Sequence, residues 1–140
     1  MLGKSHAQIC RIKRVETPGK GALQFFEAER DIPLEIKRIY YITEAAEGVN
    51  RGGHAHKQLR QFLFCPYGEI LLTIDDGVNR QDILMNSPCT GVLILPCVWR
   101  DIKWQCDGSV LCVAASDYYE EGDYIRDYDE FLRYVGSNKQ

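Results

Sequence analysis

Two histidines separated by one residue, His54 and His56, have the clearest chemical potential in this sequence. If Ala55 lies on a β-strand, both imidazoles point to the same face of it, because side chains alternate along a strand. Imidazole exchanges protons near neutral pH and also binds metals, so the pair is typical of an acid–base site or of a metal site. An isolated His-x-His pair is also compatible with surface histidines or with histidines that are hydrogen-bonded inside a fold.

The residues around the pair match the first sequence motif of the cupins in spacing and, at all but one position, in type. That motif consists of a glycine, five residues, His-x-His, four residues, an acidic position, six residues and a glycine. Its positions are occupied here by Gly48, His54, His56, Gln61 and Gly68. The acidic position, which is commonly a metal ligand in cupins, is therefore an amide in this chain.

The second cupin motif usually supplies another histidine ligand after a proline. In this sequence the residue after Pro96 that comes nearest to that histidine position is Arg100. A neutral amide such as Gln61 binds a divalent cation more weakly than a carboxylate does, and a permanent guanidinium repels one. We therefore predict a cupin that has no metal and uses its histidines for acid–base work, with a metal-binding cupin as the alternative.

The elements that must position these side chains are mostly short strands. Six segments are rich in Val, Ile, Leu, Phe and Tyr, and most are bounded by Gly, Pro, Asp or Asn. The segments are 21–27, 36–43, 61–66, 69–74, 91–95 and 109–115. An Asp-Asp-Gly sequence at 75–77 predicts a hairpin, because Asp-Gly tolerates the positive φ of a tight turn. Many short strands at close spacing favour a sandwich or barrel.

One helix is expected, near the C-terminus. Asp127 can cap it, with Glu130 three residues later. Apolar residues then recur at i, i+3, i+4 and i+7, on one face of a helix. They are Tyr128, Phe131, Leu132 and Val135. The pattern predicts a helix near 127–135 that closes one end of the barrel, followed by a frayed segment at 136–140.

Length and composition limit the class of protein. The 140 residues predict a single domain over 1–140. No stretch approaches the ~18 consecutive apolar residues that span a membrane. A net charge of −3 without a basic block predicts neither nucleic acid nor a membrane as partner.

The cysteines and the N-terminus indicate where the protein works. Residues 1–10 contain no apolar run of the kind found in secretory signals, which predicts a cytoplasmic protein. The six cysteines include no Cys-x-x-Cys pair and match no zinc module. In a reducing compartment we expect them to be free thiols rather than disulfides.

Four segments make the chain resemble the dTDP-4-keto-6-deoxyglucose 3,4-ketoisomerases. They are PLEIKRIYY at 33–41, RGGHAHK at 51–57, PCVWR at 96–100 and YYEEGDYIRDYD at 118–129. The resemblance implies a cupin, a jelly-roll β-barrel with a short C-terminal helix, that isomerises a dTDP-linked 4-keto-6-deoxyhexose without metal or cofactor. It also implies a homodimer with swapped N-terminal strands. Members supply deoxyamino sugars for lipopolysaccharide, O-antigen and some secondary metabolites, and an aminotransferase uses their product.

Moving the ketone from carbon 4 to carbon 3 requires proton transfer through an enediol, and four residues are candidates for it. His54 is the expected base, because an imidazole with a pKa of ~6.5 takes and returns a proton near neutrality. His56, on the same face, moves the proton between the oxygens or orients the sugar. Tyr40 and Arg100 are donors suited to a developing oxyanion. A packed core tyrosine is the alternative for Tyr40, and the family resemblance favours the donor.

The diphosphate of such a substrate requires cations. Arg51 and Lys57 flank the histidines, and Lys20 lies in a Pro-Gly-Lys-Gly loop. Arginine grips phosphate oxygens through paired donors, whereas Lys57 and Lys20 are equally compatible with solvated surface charges. Arg38 shares the face of Tyr40 on a strand and is expected to bind substrate. The role expected for Gln61 is a hydrogen bond to the ligand or to a buried neighbour.

Two other functions remain compatible with the sequence. The first is a dTDP-sugar 3,5-epimerase on the same fold, which pairs its histidine with an aspartate and a catalytic tyrosine. The second is a sugar-nucleotide binding module that does no chemistry, although such a module has no need of two aligned titratable groups.

For the isomerase we expect the gluco rather than the galacto product, because Arg100 does not readily release a proton at neutral pH. Lys20 weakens this expectation, since its charge resembles an arginine of galacto-forming members.

Overall fold

A computed structural model describes residues 6–137 of the chain. Its elements in chain order are β1 Ala7–Arg11, β2 Lys13–Thr17, β3 Gly21–Phe25, β4 Arg38–Ile42, β5 Asn50–His56, β6 Gln61–Tyr67, β7 Ile70–Asp75, β8 Arg80–Met85, β9 Thr90–Ile94, β10 Trp99–Trp104, β11 Val110–Ala115, a 3-10 turn Glu121–Asp123, β12 Tyr124–Ile125 and α1 Tyr128–Ser137. In this range no helix is long and apolar enough to cross a membrane.

Two five-stranded antiparallel sheets form the molecule. Their strand orders are β1-β9-β6-β11-β4 and β12-β5-β10-β7-β8, and a separate ribbon joins β2 to β3. Inward-facing side chains of both sheets form one core, with Trp104 as its largest fully buried member. This is the jelly-roll β-barrel of the cupins with a short C-terminal helix, as predicted from the sequence.

All six strands predicted from apolar runs are confirmed as β3, β4, β6, β7, β9 and β11, with ends displaced by at most two residues. The sequence patterns missed β1, β2, β8, β10 and β12. β10 shows the reason: it alternates apolar residues with Arg100, Asp101 and Lys103, which dilutes the run. β10 is nevertheless paired on both sides, because β5 and β7 satisfy its backbone groups.

The hairpin at 75–77 is confirmed. β7 pairs with β8 through Asp75 and Arg80, and the turn contains Gly77 at a φ of +96°. The amide of Val78 donates to the carboxylate of Asp76, which stabilises the turn locally. The hairpin fixes the register of β7, which in turn aligns β10.

The C-terminal helix begins where the sequence indicated. The amide of Glu130 donates to Asp127 Oδ2 at 3.0 Å, so Asp127 is the N-cap. The helix packs against Ala55, Trp99 and Ile125. Ala55 points away from the face shared by His54 and His56, so α1 packs on the outer face of the second sheet. Tyr128 of the helix donates to Asp75, the last residue of β7, so these contacts lie at one end of the sheet. That the helix closes this end of the barrel stays a prediction. The helix continues through Ser137, two residues beyond the predicted limit, and 138–140 lie outside the described residues.

Candidate active site

His54 and His56 lie on β5 and face the inside of the barrel together. Their ring centroids are 4.9 Å apart with an interplanar angle of 82°. Ala55 between them is fully buried on the opposite face, against α1. Ala55 therefore lies on a strand, which is what the prediction of a common face for the two histidines required.

A bulge in β5 sets the position of His54. The pairing with β10 shifts by one residue between Arg100 opposite His54 and Asp101 opposite Gly52. Gly52 has a φ of +89°, and a Cβ there would lie 2.9 Å from the carbonyl oxygen of Arg100. Gly53 also has a positive φ, +66°. The two glycines allow the close backbone approach that places His54 beside Arg100.

Arg100 is the centre of a buried polar chain that ends at Tyr40. The guanidinium is 1% exposed, and its Nη1 donates to Gln61 Oε1 at 2.6 Å. Its Nη2 donates to the carbonyl of Val98 at 3.0 Å. Gln61 Nε2 donates to the Tyr40 hydroxyl at 3.4 Å. Because this bond uses Tyr40 as acceptor, the phenolic proton is available to another oxygen.

The electrostatics of these groups fix their charges near neutral pH. Burial and the charge of Arg100 lower the pKa of His54 to about 4. The same two causes hold the pKa of His56 well below its usual value, although a carboxylate lies beside that ring. Burial lowers the pKa of Arg100 to about 10 and raises that of Tyr40. Near neutral pH the site therefore offers two neutral imidazoles that accept protons, one cation and one protonated phenol.

Two residues that the sequence analysis did not select complete the histidine pair. Asp123 Oδ2 lies 3.0 Å from His56 Nδ1, and the ring of Tyr124 lies 5.0 Å from His54 and 4.4 Å from His56. Both residues belong to the 118–129 segment that carries part of the family resemblance. Their contacts depend on β12 pairing with β5, a long-range event that has no local sequence signal.

Two cavities border this cluster. The larger, about 300 Å³, is lined by Tyr40, His54, Arg51, Arg126, Ile102 and Leu111 among others. The smaller, about 200 Å³, is bordered by His56, Asp123 and Asp117. Arg38 and Tyr124 line both cavities, so the two spaces adjoin each other across these side chains.

Arginine side chains supply the positive charge along the larger cavity. Arg38, Arg51 and Arg126 all contribute to it. Arg126 donates to both carboxylate oxygens of Glu121 at 2.8 and 2.9 Å and lies 4.1 Å above the ring of Tyr124. Three cations at one cavity match a ligand with more than one negative charge.

The structure does not bring every candidate residue to this site. Lys57 extends toward α1, with its ammonium 5.8 Å above the ring of Tyr134. Lys20 lies in the turn between β2 and β3, where its amide donates to Thr17. Neither lysine lines either cavity, and a diphosphate contact for them stays a prediction.

The donor set beside the histidines does not suit a metal. Among residues 6–137 no group of three or more His, Cys, Asp or Glu side chains is placed to hold an ion. At the two positions where metal-binding cupins usually have further ligands stand Gln61 and Arg100, which are hydrogen-bonded to each other.

Comparison with known proteins places this arrangement in a family. The family model described as FdtA: WxcM-like, C-terminal matches residues 5–136. The TDP-4-oxo-6-deoxy-alpha-D-glucose-3,4-oxoisomerase of Aneurinibacillus thermoaerophilus is 42% identical over 116 residues, which are 83% of this chain and 84% of that protein.

Solved structures agree with the sequence matches. A 3,4-ketoisomerase from Helicobacter canadensis is 41% identical with a TM-score of 0.89, over 93% of this chain and 97% of that one. The WlaRB TDP-quinovose 3,4-ketoisomerase from Campylobacter jejuni is 38% identical with a TM-score of 0.85, over 91% and 97% of the two chains. The chain belongs to the FdtA family (WxcM-like, C-terminal), the sugar-nucleotide 3,4-ketoisomerases that its motifs resemble.

Proposed function

We propose that this protein moves the keto group of dTDP-4-keto-6-deoxy-D-glucose from carbon 4 to carbon 3. The observation that carries the proposal is the pair of neutral imidazoles, His54 and His56, beside the buried chain Arg100–Gln61–Tyr40. The activity and substrate printed in the names of the relatives support it. The reaction is an internal redox exchange between two carbons, so it consumes no external oxidant or reductant.

Two proton transfers at carbon define the mechanism. His54 removes the proton on carbon 3, which the adjacent carbonyl acidifies, and the electron pair of that bond forms the enediol double bond. The oxygen on carbon 4 takes a proton. Carbon 4 is then protonated as the hydroxyl on carbon 3 loses its proton and becomes the ketone. His56 moves the proton between the two oxygens or orients the sugar.

The developing charge on oxygen is stabilised by Tyr40 and Arg100. The phenolic proton of Tyr40 is free to be donated, because Gln61 already binds the hydroxyl as donor. The guanidinium of Arg100 stays charged near neutral pH. Arg100 is held by buried hydrogen bonds and Tyr40 by a partly buried one, so little reorganisation is needed when charge develops.

The cationic lining of the larger cavity binds the diphosphate. Arg51 and Arg38 were candidates from the sequence, and Arg126 joins them in the structure. Arg126 is paired with Glu121, so phosphate binding competes with that ion pair. Lys20 reaches a diphosphate only if the β2–β3 ribbon meets another copy of the chain.

A homodimer with exchanged N-terminal strands is the proposed assembly. Ile39 and Tyr41 on the outward face of β4 are 63% and 68% exposed. The β2–β3 ribbon pairs with no other strand in the described part of the chain. β1 pairs with β9 at the edge of the first sheet, and the same pairing with a second copy would be a swap.

For the product we propose the gluco configuration at carbon 4. Arg100 is buried, charged and unable to deliver a proton near neutral pH, so the proton comes from the histidine side. The related WlaRB enzyme is named for quinovose, which is 6-deoxyglucose.

An aminotransferase is the class of enzyme that uses the new ketone. All six cysteines are unpaired, which suits the reducing cytoplasm.

One experiment tests both the reaction and its stereochemistry. The protein is incubated with dTDP-4-keto-6-deoxyglucose in two parallel runs, one in H₂O and one in D₂O, and each is followed by proton NMR. In H₂O we expect the 3-keto product with a large axial coupling between the protons on carbons 4 and 5. In D₂O we expect exchange at carbon 3 of the remaining substrate and deuterium at carbon 4 of the product. Deuterium at carbon 5 would instead identify an epimerase, no turnover a binding module, and a small coupling the galacto product.

A further inference from the structure

The two ring nitrogens of His56 have different surroundings in the folded protein. Its ring is fully buried, and its Nδ1 lies 3.0 Å from Asp123 Oδ2. The other ring nitrogen, Nε2, is also buried and has no hydrogen-bond partner within residues 6–137. One nitrogen is thus bound inside the protein and the other is left for a ligand or a proton.

Asp123 acts only as an acceptor in these contacts. The amide of Gln58 donates to its Oδ1 at 2.8 Å, and the amide of Leu59 donates to its Oδ2 at 3.2 Å. Both oxygens therefore already accept backbone protons, which is the pattern of an ionised carboxylate. A neutral imidazole beside such a group must carry its proton on Nδ1, so its lone pair lies on Nε2.

The backbone holds this pair together from both sides. Tyr124 of β12 is paired with His56 of β5. The amide of Lys57 donates to the carbonyl of Asp123 at 2.9 Å, and the amide of Cys97 donates to the carbonyl of His56 at 2.8 Å. These bonds fix the carboxylate relative to the ring independently of any ligand.

We propose that Asp123 is a positioning residue that locks His56 in the Nδ1–H tautomer and so makes its Nε2 the atom that accepts and returns a proton. The proposal rests on the isomerase function for the catalytic use of that atom, but the tautomer itself does not. It assigns His56 a proton-transfer role of its own beside His54.

The first test needs no variant. In protein labelled with ¹⁵N at histidine, long-range proton–nitrogen NMR distinguishes which ring nitrogen of His56 carries the proton. We expect a proton on Nδ1 and a bare Nε2 in the ligand-free protein near neutral pH. A proton on Nε2 alone, or on both nitrogens, overturns the proposal, and this readout stands even if the protein turns over no sugar.

The second test is Asp123→Asn, which keeps the size and one acceptor oxygen. We expect the His56 tautomer to change and turnover to fall by roughly 10²–10⁴-fold, with dTDP affinity nearly unchanged. Asp107→Asn is the matched control, because Asp107 also accepts a backbone amide, that of Glu47 at 2.7 Å, away from both cavities. Turnover that falls without a change of tautomer shows a merely structural role and overturns the proposal, as does unchanged turnover. If the variant does not fold, the tautomer in the wild type decides.

Discussion

His54 and His56 share one strand face but differ in what surrounds them. His54 borders the larger cavity, which the arginines line, whereas the fully buried His56 borders the smaller cavity and is paired with Asp123. A base that must reach a sugar carbon belongs at the more open position. The geometry therefore supports the choice of His54 as the base.

Replacing His54 by asparagine should remove turnover and leave binding. Asparagine keeps a polar side chain of similar size but cannot act as a base near neutral pH. We therefore expect a rate loss of ~10²–10⁴-fold with dTDP affinity nearly unchanged. Steady-state kinetics and calorimetric titration with dTDP measure the two effects. His6→Asn is the control, since the third histidine of the chain lies outside both cavities. A His54→Asn variant that keeps more than about a tenth of wild-type turnover would exclude His54 as the base.

The depressed pKa of His54 should appear in the pH dependence of stability. In the unfolded chain the imidazole titrates near ~6.5, and in the folded protein it titrates at about 4. Between these values the unfolded state binds more protons, so stability present above pH ~6.5 is lost as the pH falls toward 4.

Thermal unfolding at several pH values measures this effect. We expect Tm to fall between about pH 7 and about pH 5, and to fall less in His54→Asn, which lacks the group. An equal fall in both proteins would show that His54 does not contribute.

The amide and guanidinium beside the histidines predict activity without a metal. Gln61 and Arg100 are hydrogen-bonded to each other at 2.6 Å, where metal-binding cupins usually have ligands. Turnover should survive exhaustive treatment with EDTA, measured after removal of the chelator. Loss of turnover that zinc, iron or manganese restores would contradict this prediction.

The bulge in β5 links strand geometry to the site. Gly52 lets β5 approach β10 so closely that a Cβ would lie 2.9 Å from the Arg100 carbonyl oxygen. Gly52→Ala should therefore displace His54 from Arg100 and lower turnover, in addition to the ~1 kcal/mol or more that a positive φ costs alanine.

Gly108→Ala is the matched control for this variant. Gly108 has a similar positive φ, +72°, but no atom lies within 4 Å of the position its Cβ would take. Both variants should lower Tm, and only Gly52→Ala should lower turnover at temperatures where each is folded. Equal turnover in the two folded variants would show that the bulge does not position the site.

The assembly of the molecule should depend on the outward face of β4. Tyr41→Asp places a charge in an exposed apolar patch, so we expect a dimer to dissociate, as measured by light scattering or sedimentation. Val78→Asp is the control, because Val78 is equally exposed, at 67%, in the turn between β7 and β8. A wild-type protein that is monomeric at micromolar concentration would exclude the proposed dimer.

The sequence determined the features that depend on neighbouring residues. The apolar runs predicted six strands, Asp-Gly predicted the β7–β8 hairpin, and Asp127 predicted the start of α1. These signals are local, because side-chain alternation, turn φ values and helix capping act within a few residues. The spacing of His54 and His56 also determined their common face.

Only the tertiary structure decided what the site contains besides these histidines. Asp123 meets His56 across 67 residues of chain, next to the pairing of β12 with β5 that places Tyr124 there, and no periodicity reports such a pairing. The separation of Lys57 from the cavity, in contrast, follows from side-chain alternation, since Lys57 is adjacent to the inward-facing His56 and extends to α1. Pairing between strands that are distant in sequence depends on which faces of the sheets are buried. It therefore cannot be predicted from the residues of either strand alone.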